Sequence, residues 1–268
     1  ETTINGHTIK YVSTGEGFPV LLIHGIPVWG YLWKDMVNDL SKKFHLIIPD
    51  LLGYGYSDKR DCFDRAVTVQ AEILKILIDN LKISRLHVVG HDIGGAVAQR
   101  FLVANRNMVE KFVLIDAVVY DSWPADPMIK LSNPKLHYKT KNDELARKFI
   151  ERLPYGIYNK KVATQELLEA WMAPYSTEEG KLSLIRNASA LNTNHTMEII
   201  DDLKNGNTPI LLIWGEDDIF QPLDYAKKFV KEIPNTKLAV IPEAGHFIPF
   251  EKPDEINKEL FGFFKNND

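Results

Sequence analysis

Three short segments of the sequence place carboxylate and histidine side chains where they could act together in a chemical reaction. Asp92 occupies the centre of Gly90-His91-Asp92-Ile93-Gly94, between an apolar run typical of a strand and a run typical of a helix. Carboxylates follow a later apolar run in Gly215-Glu216-Asp217-Asp218, and His246 lies in a loop after the last such run. This order along the chain predicts a nucleophile, an acid and a histidine base.

The aspartate at the centre of the first segment determines which chemistry is expected. A carboxyl group with a reference pKa of about 3.9 is ionised at neutral pH, so Asp92 can displace a leaving group from a saturated carbon directly. The product is an alkyl-enzyme ester, and His246 is expected to take a proton from the water that attacks its carbonyl. The backbone N–H groups of Ile26 and Ile93 are expected to stabilise the resulting oxyanion. The sequence therefore favours cleavage of a carbon–halogen bond or an epoxide over cleavage of a carboxylic ester.

Strand-like and helix-like patterns alternate along the chain, which is typical of parallel strands joined by helices. The predicted strands cover residues 8–12, 20–23, 45–49, 86–89, 111–115, 210–214 and 237–241. The predicted helices between them cover residues 67–81, 95–104, 222–233 and 253–264.

The alternation stops in the stretch 121–207, which holds helical patterns at 144–153 and 165–172 but no convincing strand. We therefore expect a core domain formed by residues 1–120 and 208–268. The stretch 121–207 is expected to form a helical cap, or lid, inserted in that core.

The composition limits the classes of protein to which the chain can belong. The 268 residues are 45% hydrophobic and 25% charged, as is typical of a globular domain. A formal net charge of -4 without a basic block argues against a nucleic-acid partner. The longest apolar runs are too short to span a bilayer, and no signal-like segment opens the sequence, so no membrane partner and a cytoplasmic location are expected. Cys62 is the only cysteine, which excludes an internal disulfide.

Together these segments resemble the α/β-hydrolase superfamily. Within it, the aspartate at position 92, "YLW" at 31–33 and "PDLLGYGYSDK" at 49–59 are similar to haloalkane dehalogenases and the related epoxide hydrolases. The resemblance implies an α/β fold with a mostly parallel sheet of about eight strands, flanked by helices, and a helical cap over the active site. It also implies hydrolysis without a cofactor or a metal.

The acid that holds His246 has more than one candidate. The superfamily pattern G-x-x-D-x-x-x-P aligns with Gly215, Asp218 and Pro222, which favours Asp218 over Asp217. Some dehalogenases place the acid after the strand that follows the nucleophile turn, and Asp116 occupies that position. Asp116 is therefore the alternative acid.

The expected substrate is a small hydrophobic molecule, and the resemblance gives two ways to stabilise its leaving group. A dehalogenase needs N–H donors for the halide, for which the candidates are Trp29, Trp123 and Trp171. An epoxide hydrolase uses cap tyrosines, for which the candidates are Tyr138, Tyr155, Tyr158 and Tyr175. We favour a dehalogenase because of "YLW" and "SDK".

Other functions fit the same motifs. Epoxide hydrolysis is the first alternative to dehalogenation. A carboxylesterase or lactonase in which aspartate replaces the usual serine is the next, followed by a ligand-binding member without catalysis. The chain is expected to act as a monomer or a homodimer.

Overall fold

The computed structural model describes residues 1–133, 135–139 and 141–265. Within these ranges, no helix is both long and apolar enough to cross a membrane. The strands are β1 Thr2–Ile4, β2 His7–Ile9, β3 Tyr11–Thr14, β4 Phe18–Ile23, β5 Phe44–Pro49, β6 Leu86–His91, β7 Val109–Ile115, β8 Ile210–Gly215 and β9 Thr236–Ile241.

The main sheet has seven strands in the order β3-β5-β4-β6-β7-β8-β9. Strand β3 runs antiparallel to β5, and every other pair in this sheet is parallel. The central strands β6 and β8 are buried along their whole length, as expected for parallel strands with helices on both faces.

The amino-terminal strands differ from the sequence-based prediction. The predicted strand at 8–12 is two strands, and β2 pairs with β1 in a separate two-stranded sheet. Asn5 and Gly6 connect β1 to β2 with φ values of 51° and 80°, the conformation that an Asn-Gly hairpin turn adopts. This local hairpin leaves seven strands in the main sheet rather than about eight.

The α-helices follow the predicted positions in the core and fill the region between β7 and β8. They are α1 Lys34–Leu40, α2 Val67–Asn80, α3 Ile93–Ala104, α4 Asp126–Leu131, α5 Lys135–Lys139, α6 Asn142–Arg152, α7 Gln165–Met172, α8 Glu178–Ser189, α9 Asn194–Met197, α10 Ile200–Lys204, α11 Leu223–Glu232, α12 Ile248–Glu251 and α13 Pro253–Lys265. Helix α2 buries Ile73, Leu74, Leu77 and Ile78 on one face, because these positions recur at helical spacing.

Helices α4 to α10 form a helical insertion between β7 and β8, and the described residues of this stretch include no strand. The insertion is hydrogen-bonded to the core beneath it. Asn187 of α8 accepts from Arg65 Nε at 3.0 Å and donates to the Gly53 carbonyl at 2.8 Å. A Cβ on Gly53 would lie 2.6 Å from the Asn187 Oδ1 atom, so this close contact requires glycine.

Parallel strands bring the chemically important side chains to one edge of the sheet. Asp92 follows β6, Asp116 follows β7, Asp218 follows β8 and His246 follows β9. Because the carboxyl ends of parallel strands meet at the same edge, residues far apart in sequence become neighbours there.

Candidate active site

Asp92 lies on a sharp turn between β6 and α3 with a backbone φ of 51°, a conformation that is uncommon for a non-glycine residue. Such backbone strain costs about 1 to 3 kcal/mol and requires support from neighbouring residues. Gly25 leaves room for the Asp92 side chain, because a Cβ on Gly25 would lie 2.4 Å from the Asp92 Cβ. A Cβ on Gly94 would lie 2.3 Å from the His24 carbonyl oxygen. Both glycines therefore allow the backbone to approach closely around Asp92.

The two carboxylate oxygens of Asp92 have different environments. Oδ1 accepts a hydrogen bond of 2.8 Å from the Ile26 backbone N–H. Ile93 is the first residue of α3, so its N–H has no partner within the helix and lies beside Asp92. Oδ2 faces the ring of His246, with 3.6 Å between Oδ2 and Nε2. One oxygen thus accepts from a backbone N–H and the other faces the histidine.

Asp218 holds the ring of His246 in this orientation. The His246 Nδ1 atom donates to Asp218 Oδ2 at 2.8 Å, and both side chains are buried. Asp218 Oδ1 accepts from the backbone N–H groups of Phe220 and Gln221 at 2.7 and 2.9 Å. With Nδ1 occupied as a donor, Nε2 is the ring atom presented to Asp92.

The charges of these groups reinforce one another. Burial opposes protonation of His246, but the carboxylates of Asp218 and Asp92 outweigh it and raise the pKa of His246 well above 6.5. Burial also raises the pKa of Asp92, but the hydrogen bond and charge of His246 outweigh it, so the pKa of Asp92 is lowered. Before any reaction, the site therefore favours an Asp92 carboxylate facing a histidinium ring.

Asp116 lies at the same edge but does not hold the ring of His246. Its Oδ1 atom accepts from the Gly215 N–H at 2.8 Å, and its buried Oδ2 has no partner among the described residues. Burial and the charge of Asp218 raise the pKa of Asp116 well above its ordinary value, which favours the neutral acid. Asp217 is exposed.

Two further buried histidines support the surrounding loops. His24 donates from Nδ1 to the Gly25 carbonyl at 2.9 Å and accepts from the Leu51 N–H at 3.0 Å. His91 donates from Nε2 to the carbonyl of His246 at 2.8 Å. Burial lowers the pKa of His91 to about 3, so its ring is neutral. Both rings orient backbone groups near Asp92.

A cavity of about 580 Å³ opens between the sheet edge and the helical insertion. Asp92, Ile93, Val118 and His246 form its buried floor. Its walls are mainly apolar and include Leu131, Leu136, Leu145, Leu153 and Leu191 from the insertion. Exposed side chains at its mouth are Lys130, Lys148, Arg152 and Tyr155. The cavity is suited to a small apolar molecule whose reacting atom reaches Asp92.

The structure brings only part of the proposed leaving-group set to this cavity. Trp123 and Tyr155 line it, but the Trp123 indole N–H already donates to Thr196 Oγ1 at 2.8 Å. The other five aromatic candidates do not line it, which corrects the expectation for Trp29, Tyr138, Tyr158, Trp171 and Tyr175.

Packing explains these corrections. Trp29 directs its N–H to the Ala170 carbonyl, and Trp171 is fully buried against Phe247. Tyr138 and Tyr158 are exposed, whereas Tyr175 is fully buried outside the cavity lining.

Sequence reasoning missed Glu251, which connects the His246 loop to the helical insertion. Its Oε1 atom accepts from the Gly245 N–H at 3.0 Å, and its Oε2 atom accepts from the Tyr158 N–H at 2.8 Å. The His246 N–H donates to the Gly156 carbonyl at 2.7 Å across the same junction. The only sequence signal was a carboxylate five residues after the histidine.

No cluster of metal-ligating side chains occurs among the described residues.

Comparison with known proteins agrees with this architecture. The family model of the α/β hydrolase fold matches residues 19–253, and the chain belongs to that family. It is 29% identical to haloalkane dehalogenase 2 of Mycobacterium tuberculosis strain H37Rv, covering 92% of this chain and 88% of the relative. It is 27% identical to a soluble epoxide hydrolase of Corynebacterium sp. strain C12, covering 98% and 96%.

A solved structure also has the same fold. An α/β hydrolase fold protein from Burkholderia ambifaria superposes with a TM-score of 0.90 at 24% identity, covering 97% of this chain and 95% of that one. With a family match to the α/β hydrolase fold and relatives named as a haloalkane dehalogenase and an epoxide hydrolase over nearly its whole length, the chain is an enzyme of the hydrolase class.

Proposed function

We propose that this enzyme hydrolyses a small hydrophobic substrate through an ester between the substrate and Asp92. The observation that carries the proposal is the arrangement of the two Asp92 oxygens. Oδ1 receives the Ile26 N–H at 2.8 Å, where an oxyanion on Asp92 itself would form. Oδ2 remains directed towards His246 and the cavity floor. This geometry suits a carboxylate that attacks and is then itself attacked.

The reaction has two steps. In the first, Asp92 Oδ2 forms a bond to a saturated carbon while the bond from that carbon to its leaving atom breaks, and the electron pair departs with the leaving atom. In the second, water adds to the Asp92 carbonyl and gives a proton to His246 Nε2. The oxyanion on Oδ1 is stabilised by the N–H groups of Ile26 and Ile93. As it collapses, the bond to the substrate oxygen breaks and that oxygen takes the proton from His246 Nε2, which releases an alcohol. The acid left on Asp92 then returns its proton to His246, which restores the carboxylate.

The charge of Asp92 controls when His246 can act as a base. In the free enzyme, Asp218 and Asp92 together raise the pKa of His246 well above 6.5. Ester formation removes the charge of Asp92, so only Asp218 still favours the protonated ring. The pKa of His246 therefore falls after the first step, which frees Nε2 to accept a proton from water.

This mechanism predicts different pH dependences for the two steps. Hydrolysis of the ester requires neutral His246, so its rate should rise with pH through the His246 pKa of the ester form and then level off. Ester formation requires ionised Asp92, whose pKa is lowered, so it should persist at more acidic pH. Rapid mixing followed by acid quench measures both rates. Loss of both steps at one common pH would contradict this assignment.

The cavity lining favours an epoxide as the substrate. Opening an epoxide leaves an alkoxide that needs a proton, and Tyr155 is a hydroxyl-bearing residue that lines the cavity. Of the tryptophans expected to donate to a departing halide, Trp29 and Trp171 do not line the cavity and the Trp123 N–H is engaged with Thr196. This lining supports an epoxide as the first candidate, in place of the haloalkane that the sequence favoured. Carbon–halogen cleavage is the second candidate because the mycobacterial relative is named a haloalkane dehalogenase.

Replacing Tyr155 with phenylalanine tests this choice. Tyr155→Phe should lower turnover of a terminal alkyl epoxide by about 10²-fold or more, because the proton donor is lost. Reaction of Asp92 with a bromoalkane of the same chain length should change little. Tyr158→Phe is the matched control, because Tyr158 is exposed and does not line the cavity. Equal losses in the two variants, or no loss in Tyr155→Phe, would exclude Tyr155 as the acid.

A further inference from the structure

Gln221 is a buried polar residue that no step of the mechanism above uses. Gln221 lines the cavity and is only 2% exposed. The buried Oε1 atom makes no hydrogen bond within the described part of the chain. Because an unpaired buried amide destabilises a fold, such a group needs an explanation.

The backbone of Gln221 is fixed beside the residues that hold His246. Its N–H donates to Asp218 Oδ1 at 2.9 Å, and its carbonyl accepts from the Trp214 indole N–H at 2.7 Å. Asp218 Oδ2 in turn binds the ring that faces Asp92. The Gln221 backbone is therefore held in a fixed position beside Asp218, the residue that orients the His246 ring.

Two other buried glutamines show what a structural role looks like in this protein. Gln70 donates to the Leu52 carbonyl at 2.8 Å and accepts from the Leu52 N–H at 3.0 Å. Gln99 donates to the carbonyls of Gly95 and Val118 at 3.0 and 2.9 Å. Both amides connect segments of backbone. The Oε1 atoms of Gln99 and Gln221 are both buried without a partner among the described residues. Gln221 differs because its Nε2 atom, unlike that of Gln70 or Gln99, makes no hydrogen bond to the described backbone, so its N–H groups can bind a molecule in the cavity that Gln221 lines.

We propose that the Gln221 amide hydrogen-bonds the leaving atom of the substrate while Asp92 attacks. This inference rests on the proposed function. As the bond to Asp92 Oδ2 forms and the bond to the leaving atom breaks, negative charge collects on that atom. An N–H of the Gln221 amide stabilises the charge without giving up its proton, and the amide can rotate about its terminal bond to present that N–H. The same amide serves an epoxide oxygen or a halide.

The test is Gln221→Met, which preserves the length of the side chain but removes its polar atoms. The rate of ester formation should fall about 10-fold to 100-fold, the effect expected for losing one hydrogen bond to a developing charge. The rate of ester hydrolysis should be unchanged. The melting temperature should stay the same or rise, because an unpaired buried amide has been removed. Gln70→Met is the matched control and should lower the melting temperature.

Several outcomes would overturn the role of Gln221. One is a melting temperature that drops as far as in Gln70→Met, and another is an equal effect, or no effect, on the two steps. Binding of 1,2-hexanediol, measured by calorimetry, gives a readout independent of chemistry and should weaken in Gln221→Met but not in Gln70→Met. Unchanged diol binding would count against Gln221 alone, whereas absence of any ester on Asp92 would count against the proposed function.

Discussion

Replacing His246 with phenylalanine should stop turnover while leaving Asp92 able to react once. Ester formation needs only the ionised carboxylate, whereas ester hydrolysis needs a base at Nε2, which faces Asp92 at 3.6 Å in the wild-type protein. The steady-state rate should therefore fall by about 10²-fold to 10⁴-fold or more, and the ester should accumulate. Mass spectrometry of the intact variant should detect the adduct, and peptide mapping should place it on Asp92.

The mass of that adduct also identifies the substrate class. An epoxide adds the mass of the whole molecule, because its oxygen stays attached after the ring opens. A haloalkane adds only its alkyl group, because the halide leaves. His87→Phe is the matched control, since His87 is buried near the start of β6, the strand that precedes Asp92, and stacks on Phe264. It should turn over normally and carry no adduct. An unmodified His246→Phe variant that is still folded would show that Asp92 is not the nucleophile.

Asp218→Asn should nearly abolish turnover, whereas Asp116→Asn should change it by less than about tenfold. Asp218 receives the His246 Nδ1–H at 2.8 Å and is the main charge that favours protonation of the ring. An amide at this position removes that charge and can stabilise the wrong ring tautomer, for which a loss of about 10⁴-fold is expected. Asp116 is favoured as a neutral acid, so asparagine preserves both its charge state and its acceptor for Gly215.

The two asparagine variants control for each other, because each replaces a buried carboxyl group at the same sheet edge with a side chain of the same shape. Steady-state rates and melting temperatures measured together separate catalysis from folding. A large loss of activity in Asp116→Asn with little loss in Asp218→Asn would assign the acid to Asp116 instead.

The order of the motifs in the sequence predicted which residues meet, because each motif follows a strand of the same parallel sheet. Each of Asp92, Asp116, Asp218 and His246 follows a parallel strand, so all of them lie at one edge of the sheet. The choice between Asp116 and Asp218 depended on a family pattern rather than on geometry. The structure supports Asp218 as this acid, because its Oδ2 atom lies 2.8 Å from His246 Nδ1.

The lining of the cavity could not be predicted because it depends on how the helices of the insertion pack. Trp123 and Thr196 are 73 residues apart, and nothing in either segment indicates that the indole N–H is already occupied. Gln221 carries no pattern of its own, and its significance comes from the absence of a partner for its amide among the described residues. The Asn5-Gly6 turn, by contrast, was a readable hairpin signal.

The origin of the oxygen that enters Asp92 is the most direct test of the central claim. Wild-type enzyme, in excess over substrate, is allowed to turn over once in water enriched in heavy oxygen and is then digested and analysed by mass spectrometry. If water attacks the ester carbonyl, the peptide containing Asp92 gains one heavy oxygen and the alcohol released in that turnover gains none from this step. An unlabelled Asp92 peptide together with a labelled product would mean that water attacks the substrate carbon directly, and the ester mechanism would be wrong.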